Sequence, residues 1–248
     1  MFYFGSNTKR DLDRLTHEGI TRTAIGLASG HDDVQFFLLP SIPFFLELKE
    51  ITDDSKLWIG NQSISSTSGT DVTGEISGTT LKALGSDLVM IGHAERRARF
   101  DGPDEISQQL HEAQRAGLRV LFCVGESTHN DDEAQLKQFL TSQLLPLVGL
   151  ANEILIAYEP VFAIGANGVE ANPSYVGTVV RIIKEIAAEI GHQSSPILYG
   201  GSVNQANAAT YASLQGCDGL FVGRSAWSPT GYAEVFTAGY NAYKSKVV

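Results

Sequence analysis

Cysteine is scarce in this chain of 248 residues, which has only Cys123 and Cys217. Both lie in apolar, strand-like runs without metal-ligand spacing. That argues against a disulfide framework or a zinc site and for buried, reduced thiols, as in a reducing cytosol. Long apolar runs are also missing, and no stretch approaches the length that spans a bilayer. The opening MFYFGSNTKR lacks the basic region and long apolar core of a signal peptide, so a soluble, cytoplasmic protein is expected. Positive charge is in deficit: 18 Lys and Arg stand against 28 Asp and Glu, a formal net charge of -10. This argues against nonspecific nucleic-acid binding, which needs a basic surface. It does not exclude a small anionic substrate, because a few local donors outweigh a distant net charge. Linkers, low-complexity tracts and short-period repeats are absent too, so residues 1–248 read as one domain.

What the chain does have is regular alternation. Eight short apolar runs read as strands: 2–6, 35–39, 57–62, 88–92, 120–125, 154–159, 197–201 and 219–223. Between and after them lie amphipathic, helical patterns at 11–29, 44–51, 78–84, 104–116, 131–148, 174–190, 205–214 and 230–242. Strand–helix alternation implies a parallel sheet, because parallel strands need crossover connections. Runs such as VLFCV and ILIAY show no polar alternation, so both faces of each strand should be buried. A doubly wound sheet competes with a (β/α)8 barrel. The even count of eight, the chain length and the lack of a second-domain segment favour the barrel. One polar stretch, Ser63–Ser77, is long for a loop in a compact domain. It is either a solvated excursion or an arm that docks on a partner.

In a barrel the C-terminal ends of the strands open on one face, so distant residues converge there. The first strand is followed by Asn7 and Lys9, and the fourth by His93, Glu95, Arg96 and Arg97. The sixth ends in Glu159, before Pro160 and a small, Gly-containing segment. The seventh ends in Gly200-Gly201-Ser202, and the eighth in Gly223-Arg224-Ser225. Glycine lets a backbone approach a ligand, and N–H groups at a helix start favour an anion. A GGS alone is a common turn, but paired with a second glycine after the last strand it points to phosphate. Glu159, His93 and Lys9 each have an ordinary reading alone: a solvated carboxylate, a structural imidazole, a surface ammonium. Together they suit proton abstraction beside a carbonyl, with the carboxylate as base and the imidazole and ammonium stabilising an enediolate oxygen. Glu95, Arg96 and Arg97 are expected to form supporting ion pairs. No His/Asp/Glu cluster shows ligand spacing, and such a proton transfer needs no electron sink, so neither metal nor organic cofactor is expected.

These residues also carry a family signature. Asn7-Thr8-Lys9, IGHAERR at Ile91–Arg97, CVGE at Cys123–Glu126, AYEPVFAIG at Ala157–Gly165, YGGSV at Tyr199–Val203 and LFVG at Leu220–Gly223 resemble triosephosphate isomerase over essentially the whole chain. That family is a standard illustration of a Glu base, a neutral His electrophile and a closing loop. The resemblance implies a TIM barrel with Glu159 as base and His93 as neutral electrophile. Lys9 and Asn7 would stabilise the charged oxygen, with Glu95 as a supporting carboxylate. It further implies phosphate binding by backbone N–H groups of Gly165, Ser202, Gly223 and Arg224. A lid would run from Pro160 to about Asn172, and a homodimer would form through the loop around Thr73. The implied reaction, dihydroxyacetone phosphate to glyceraldehyde 3-phosphate, belongs to glycolysis and gluconeogenesis.

Several positions depart from the usual pattern. Ala94 replaces the Ser after the histidine and Phe162 replaces a Trp. The lid tip reads Ala166-Asn167-Gly168, and Arg224 stands for the second of two glycines. After the first strand the chain reads Thr8-Lys9-Arg10-Asp11 where Trp-Lys-Met-Asn is usual. The stretches AIGANG and GLFVGRSAW, with Gly231-Tyr232, are similar to a divergent branch that interconverts L-erythrulose 1-phosphate and D-erythrulose 4-phosphate. The changes are compatible with a pocket remodelled for one extra hydroxymethyl group. Two further readings compete: a sugar-phosphate-binding barrel without turnover, and another phosphate-binding barrel enzyme such as a lyase or synthase. The first is opposed by the survival of Lys9, His93 and Glu159. The second leaves His93, Glu95 and the Pro160 segment unexplained together.

Overall fold

The computed structural model describes residues 1–165 and 168–247. Eight parallel strands wind in chain order: β1 (Phe2–Asn7), β2 (Val34–Leu39), β3 (Trp58–Ile59), β4 (Leu88–Ile91), β5 (Arg119–Val124), β6 (Ile154–Tyr158), β7 (Ile197–Tyr199) and β8 (Gly219–Val222). The strand β1 pairs with both β2 and β8, so first and last strands meet. The seam between β3 and β4 is narrower. There the N–H of Asn61 bonds the carbonyl of Leu88 at 3.0 Å, and the N–H of Met90 bonds the carbonyl of Asn61 at 2.9 Å. The result is a nearly closed (β/α)8 TIM barrel, as the alternation predicts.

Nine helices surround it among the described residues: α1 (Arg14–Ser29), α2 (Phe45–Thr52), α3 (Gly78–Ala83), α4 (Ala94–Arg97), α5 (Pro103–Ala116), α6 (Glu133–Leu144), α7 (Pro173–Glu189), α8 (Ala208–Ala212) and α9 (Pro229–Val247). Local chemistry sets their ends. Asp13 caps α1 by accepting the Thr16 N–H at 2.8 Å, and Ser77 caps α3 through the Thr80 N–H at 3.1 Å. Pro103 opens α5, and Gly117 closes it in the left-handed region at φ 63°.

Several boundaries differ from the periodicity, among them the strand expected over 57–62, which shortens to Trp58–Ile59, and the helix expected over 230–242, which runs Pro229–Val247. The helix expected over 131–148 gives way after Leu144 to a 3-10 turn at Leu145–Leu147, where Pro146 cannot donate to the helical ladder. The helix expected over 205–214 shrinks to Ala208–Ala212 because Asn204 and Asn207 take up the preceding amides with their side chains. The short α4 directly after His93 has no periodic signal of its own.

Both strand faces are apolar, as expected, and the two sets are sorted by parity. Phe36 and Leu38 of β2 join the layer under the helices, whereas Phe37 and Leu39 join Leu121, Cys123, Leu155, Ala157 and Phe221 inside the barrel. Gly5 of β1 leaves room for the Phe37 ring, which a Cβ would meet at 2.1 Å. At the N-terminal mouth Arg119 lies 4.3 Å over the Trp58 ring and bonds Glu153 at 2.6 Å. No described helix is long and apolar enough to cross a membrane, and both cysteines are buried and free.

Gly60 leads into the β3–β4 seam, where a Cβ would approach the Leu88 carbonyl to 2.3 Å. Gly60→Ala should therefore lower stability by about 1–3 kcal/mol, the usual range for forcing extra volume into a packed core. Urea unfolding checks it, and an unchanged midpoint would show that the seam opens without cost.

Candidate active site

The parity that fills the barrel also delivers the polar groups. Glu159 follows Leu155 and Ala157 in the inward register of β6, and Asn7 occupies the equivalent place on β1. Both are nearly out of solvent, at 3% and 4% exposure. The Glu159 amide bonds the Val124 carbonyl at 2.8 Å. Glycine is obligatory beside it, because a Cβ on Gly125 would fall 1.9 Å from the Glu159 carbonyl oxygen.

His93 caps α4. Its Nδ1 accepts the Glu95 N–H at 3.2 Å, and a nitrogen that accepts carries no proton. The ring proton therefore resides on Nε2, which faces Glu159 Oε1 at 3.6 Å. Glu159 Oε2 is buried and has no partner among the described residues. An unpaired buried carboxylate oxygen is costly in a folded protein and marks a place where a substrate group belongs.

Lys9 is the lone described residue other than glycine with positive φ, at 53°. Such a conformation persists only where the surroundings impose it. Here the Asn7 Oδ1 accepts the Lys9 amide at 2.9 Å, and Gln62 Nε2 donates to the Lys9 carbonyl at 2.7 Å, joined by the Ser41 hydroxyl. Trp227 Nε1 donates to the Asn7 carbonyl at 2.8 Å, and Thr8 shares a buried bond with His17 at 2.9 Å. The Lys9 ammonium pairs with Glu95. Burial alone would raise the Glu95 carboxyl, but Lys9, with His93 and Arg99, holds it below the ordinary glutamate range.

Asn7, Lys9, His93 and Glu159 line one cavity of about 210 Å³. Its other side is formed by Gly165, Gly200–Ser202 and Gly223–Ser225. The N–H groups of Gly165, Ser202 and Arg224 have no acceptor among the described residues, so this wall can receive an anion. These donors come from loops and a 3-10 turn at Arg224–Ala226, not from the α-helix starts expected after the last two strands. Of the lid-tip residues singled out in sequence, Ala166 and Asn167 lie outside the described residues.

The expected ion pairs are only partly formed. Glu95 pairs with Lys9, and Arg96 grips Asp101 bidentately at 2.6 and 2.7 Å. Arg97 pairs with no carboxylate among the described residues: it donates to the carbonyls of Gly92 at 2.6 Å and Cys123 at 3.0 Å, tying the ends of β4 and β5 together. Burial there pulls its guanidinium below the usual arginine range. Sequence reasoning missed Gln62, Ser41 and Trp227, which act through hydrogen bonds to backbone. One signal was present for Trp227, since the chain has only two tryptophans.

A sequence profile described as triosephosphate isomerase matches residues 4–239. The chain belongs to the triosephosphate isomerase family. As a member of that family it is an isomerase of phosphorylated sugars. Its relatives include an L-erythrulose-1-phosphate isomerase of Mesorhizobium japonicum, 37% identical over 95% of this chain and 96% of that protein. Proteins of the same name from Rhizobium etli and Mycolicibacterium smegmatis are 39% and 35% identical, each over 82% of this chain and 78% of theirs.

The lowered Glu95 carboxyl has a sign. Its stabilisation is present above the ordinary glutamate value of about 4.3 and is lost as pH falls through the lower folded value. Because the Glu95 side chain is 44% exposed, the effect is screened. Glu95→Gln should reduce stability at neutral pH by no more than about 1 kcal/mol, and the difference should vanish on acidification. Urea unfolding of both forms across this range checks it. A gap that widens in acid would contradict the pairing.

Proposed function

We propose that this protein interconverts L-erythrulose 1-phosphate and D-erythrulose 4-phosphate through an enediolate. The observation that carries the chemistry is the buried Glu159 carboxylate, with one oxygen unpartnered among the described residues and the other 3.6 Å from His93 Nε2, on the wall of a cavity of about 210 Å³. In this reading Glu159 removes the proton from C3 of the bound tetrulose phosphate and returns it to C2. The carbonyl thereby moves from C2 to C3. The Nε2–H of His93 donates to the two oxygens in turn, exchanging their protons, and a neutral imidazole suits that role. Lys9 and Asn7 stabilise the enediolate oxygen, and Glu95 holds the Lys9 ammonium in place. Backbone N–H groups of Gly165, Ser202, Gly223 and Arg224 take the phosphate. The segment from Pro160 to about Asn172 covers the site and excludes water.

The choice of tetrulose over triose rests on the relatives, which bear the name L-erythrulose-1-phosphate isomerase at 34–39% identity. The same base and electrophile serve dihydroxyacetone phosphate, so the triose reading differs only in what fills the pocket beyond the enediol. We place the protein in the cytoplasm as a homodimer, with the exposed loop around Thr73 inserted into the partner.

Purified protein assayed with L-erythrulose 1-phosphate and glyceraldehyde 3-phosphate decides the substrate. A much larger kcat/KM for the tetrulose phosphate is expected, and the reverse would overturn the assignment. Glu159→Gln should lower kcat by about 10²–10⁴-fold, the usual contribution of a general base, while inorganic phosphate still binds. Equal rates in variant and parent would refute the role given to Glu159.

A further inference from the structure

Glu126 lies outside the reacting cavity and is 4% exposed. Three separate parts of the chain meet on it. The Tyr158 hydroxyl, one residue before the base, donates to its Oε1 at 2.9 Å. The Tyr175 hydroxyl, in the first turn of α7, donates to the same oxygen at 3.0 Å. The Glu126 carbonyl accepts the Val161 N–H at 2.9 Å, two residues after the base. Strand β6 and the segment that follows it are thus anchored at one end by Tyr158 and Val161. The far end of that segment, where α7 begins, is anchored by Tyr175. The Tyr175 hydroxyl also accepts the Asn130 N–H at 3.4 Å, so its proton is directed at Glu126. Phe162 packs near the Tyr175 ring, with centroids 6.2 Å apart, and has no polar atom with which to reach the carboxylate. Burial raises the Glu126 carboxyl, and the two tyrosine hydroxyls oppose that shift.

We propose that Tyr175 is a positioning residue: through Glu126 it locks the two roots of the loop following Glu159 against each other, and so holds the base and its cover in register. This rests on the reading of Glu159 as base and of that loop as cover. A carboxylate shared by two hydroxyls fits the task because each bond has a preferred direction and together they fix the separation of β6 and α7. Removing the Tyr175 oxygen leaves the ring, its tilted contact with His129 at 4.1 Å between centroids, and the Tyr158 bond in place. What changes is the tie to the far root and the long 3.4 Å bond from the Asn130 N–H.

A loosened cover has a chemical consequence. In an enediolate spanning C2 and C3, the electron pair on the C3 oxygen can form a carbonyl as C1=C2 forms and the C1–O bond breaks. Inorganic phosphate then leaves, with no external oxidant or reductant. A site held closed over the intermediate suppresses this loss.

The test compares wild type, Tyr175→Phe, Glu126→Gln and Glu159→Gln with L-erythrulose 1-phosphate. It measures kcat, KM, inorganic phosphate released per isomerisation, and amide hydrogen exchange of peptides covering residues 160–173. Tyr175→Phe should raise phosphate release per turnover by about tenfold and accelerate exchange in that peptide, with an unchanged circular dichroism spectrum. Glu126→Gln, which keeps one acceptor, should show a smaller change of the same kind. Tyr175→Phe with wild-type phosphate release and wild-type exchange would overturn the proposal, as would a loss of kcat without either change. Failure of the underlying reading is separate: Glu159→Gln would then retain full activity, whatever Tyr175→Phe does to exchange.

Discussion

The site depends on the parallel backbone ladder, which fixes where every strand ends relative to its neighbours. Side chains alternate strictly along a strand, so one register decides both which residues fill the barrel and which emerge at its mouth. Leu155 and Ala157 face inward, and Glu159 follows them. The same ladder brings Gly125 and Gly200 beside Glu159, where a Cβ on Gly125 would strike its carbonyl and one on Gly200 would crowd its side chain at 3.0 Å. A slip of one residue in β6 would bury Glu159 under the helices and present Tyr158 to the cavity instead.

On that frame the electrostatics divide into two compartments. Lys9 and Glu95 form a half-exposed ion pair at the edge, where water tempers the attraction and leaves the ammonium available. Glu159 and His93 form a buried pair of another kind, in which the imidazole keeps its proton on Nε2 because Nδ1 is occupied by the Glu95 amide. Glu95 therefore touches both compartments, through its carboxylate on one side and its backbone N–H on the other. The Lys9 backbone is held by three side chains, Asn7 on its amide and Gln62 and Ser41 on its carbonyl, which fixes where its flexible side chain starts.

Much of this was legible from residue order. Eight apolar runs and their spacing implied the barrel, and the polar residues at their ends named Asn7, Lys9, His93 and Glu159 as one group. Glu126 stood inside a quoted motif without a role, because its partners Tyr158 and Tyr175 are 32 and 49 positions away. Arg97 was misread as an ion-pair member. Its chemistry allowed that, but its burial beside two strand-end carbonyls satisfied the guanidinium without a carboxylate. The wall proposed for the phosphate lies after the last two strands, but helix starts expected there give way to loops and a 3-10 turn, because Asn204 and Asn207 take up the nearby amides.

The sequence by itself determined the fold and the family and singled out the polar groups that share the cavity, because periodicity and strand-end chemistry are local properties of the chain. Only the tertiary structure decided which nitrogen of His93 holds the proton, that Arg97 ties two strands, and that Tyr175 reaches Glu126. Those contacts depend on distances between separately wound strands and helices, and such distances exist only once the barrel has closed.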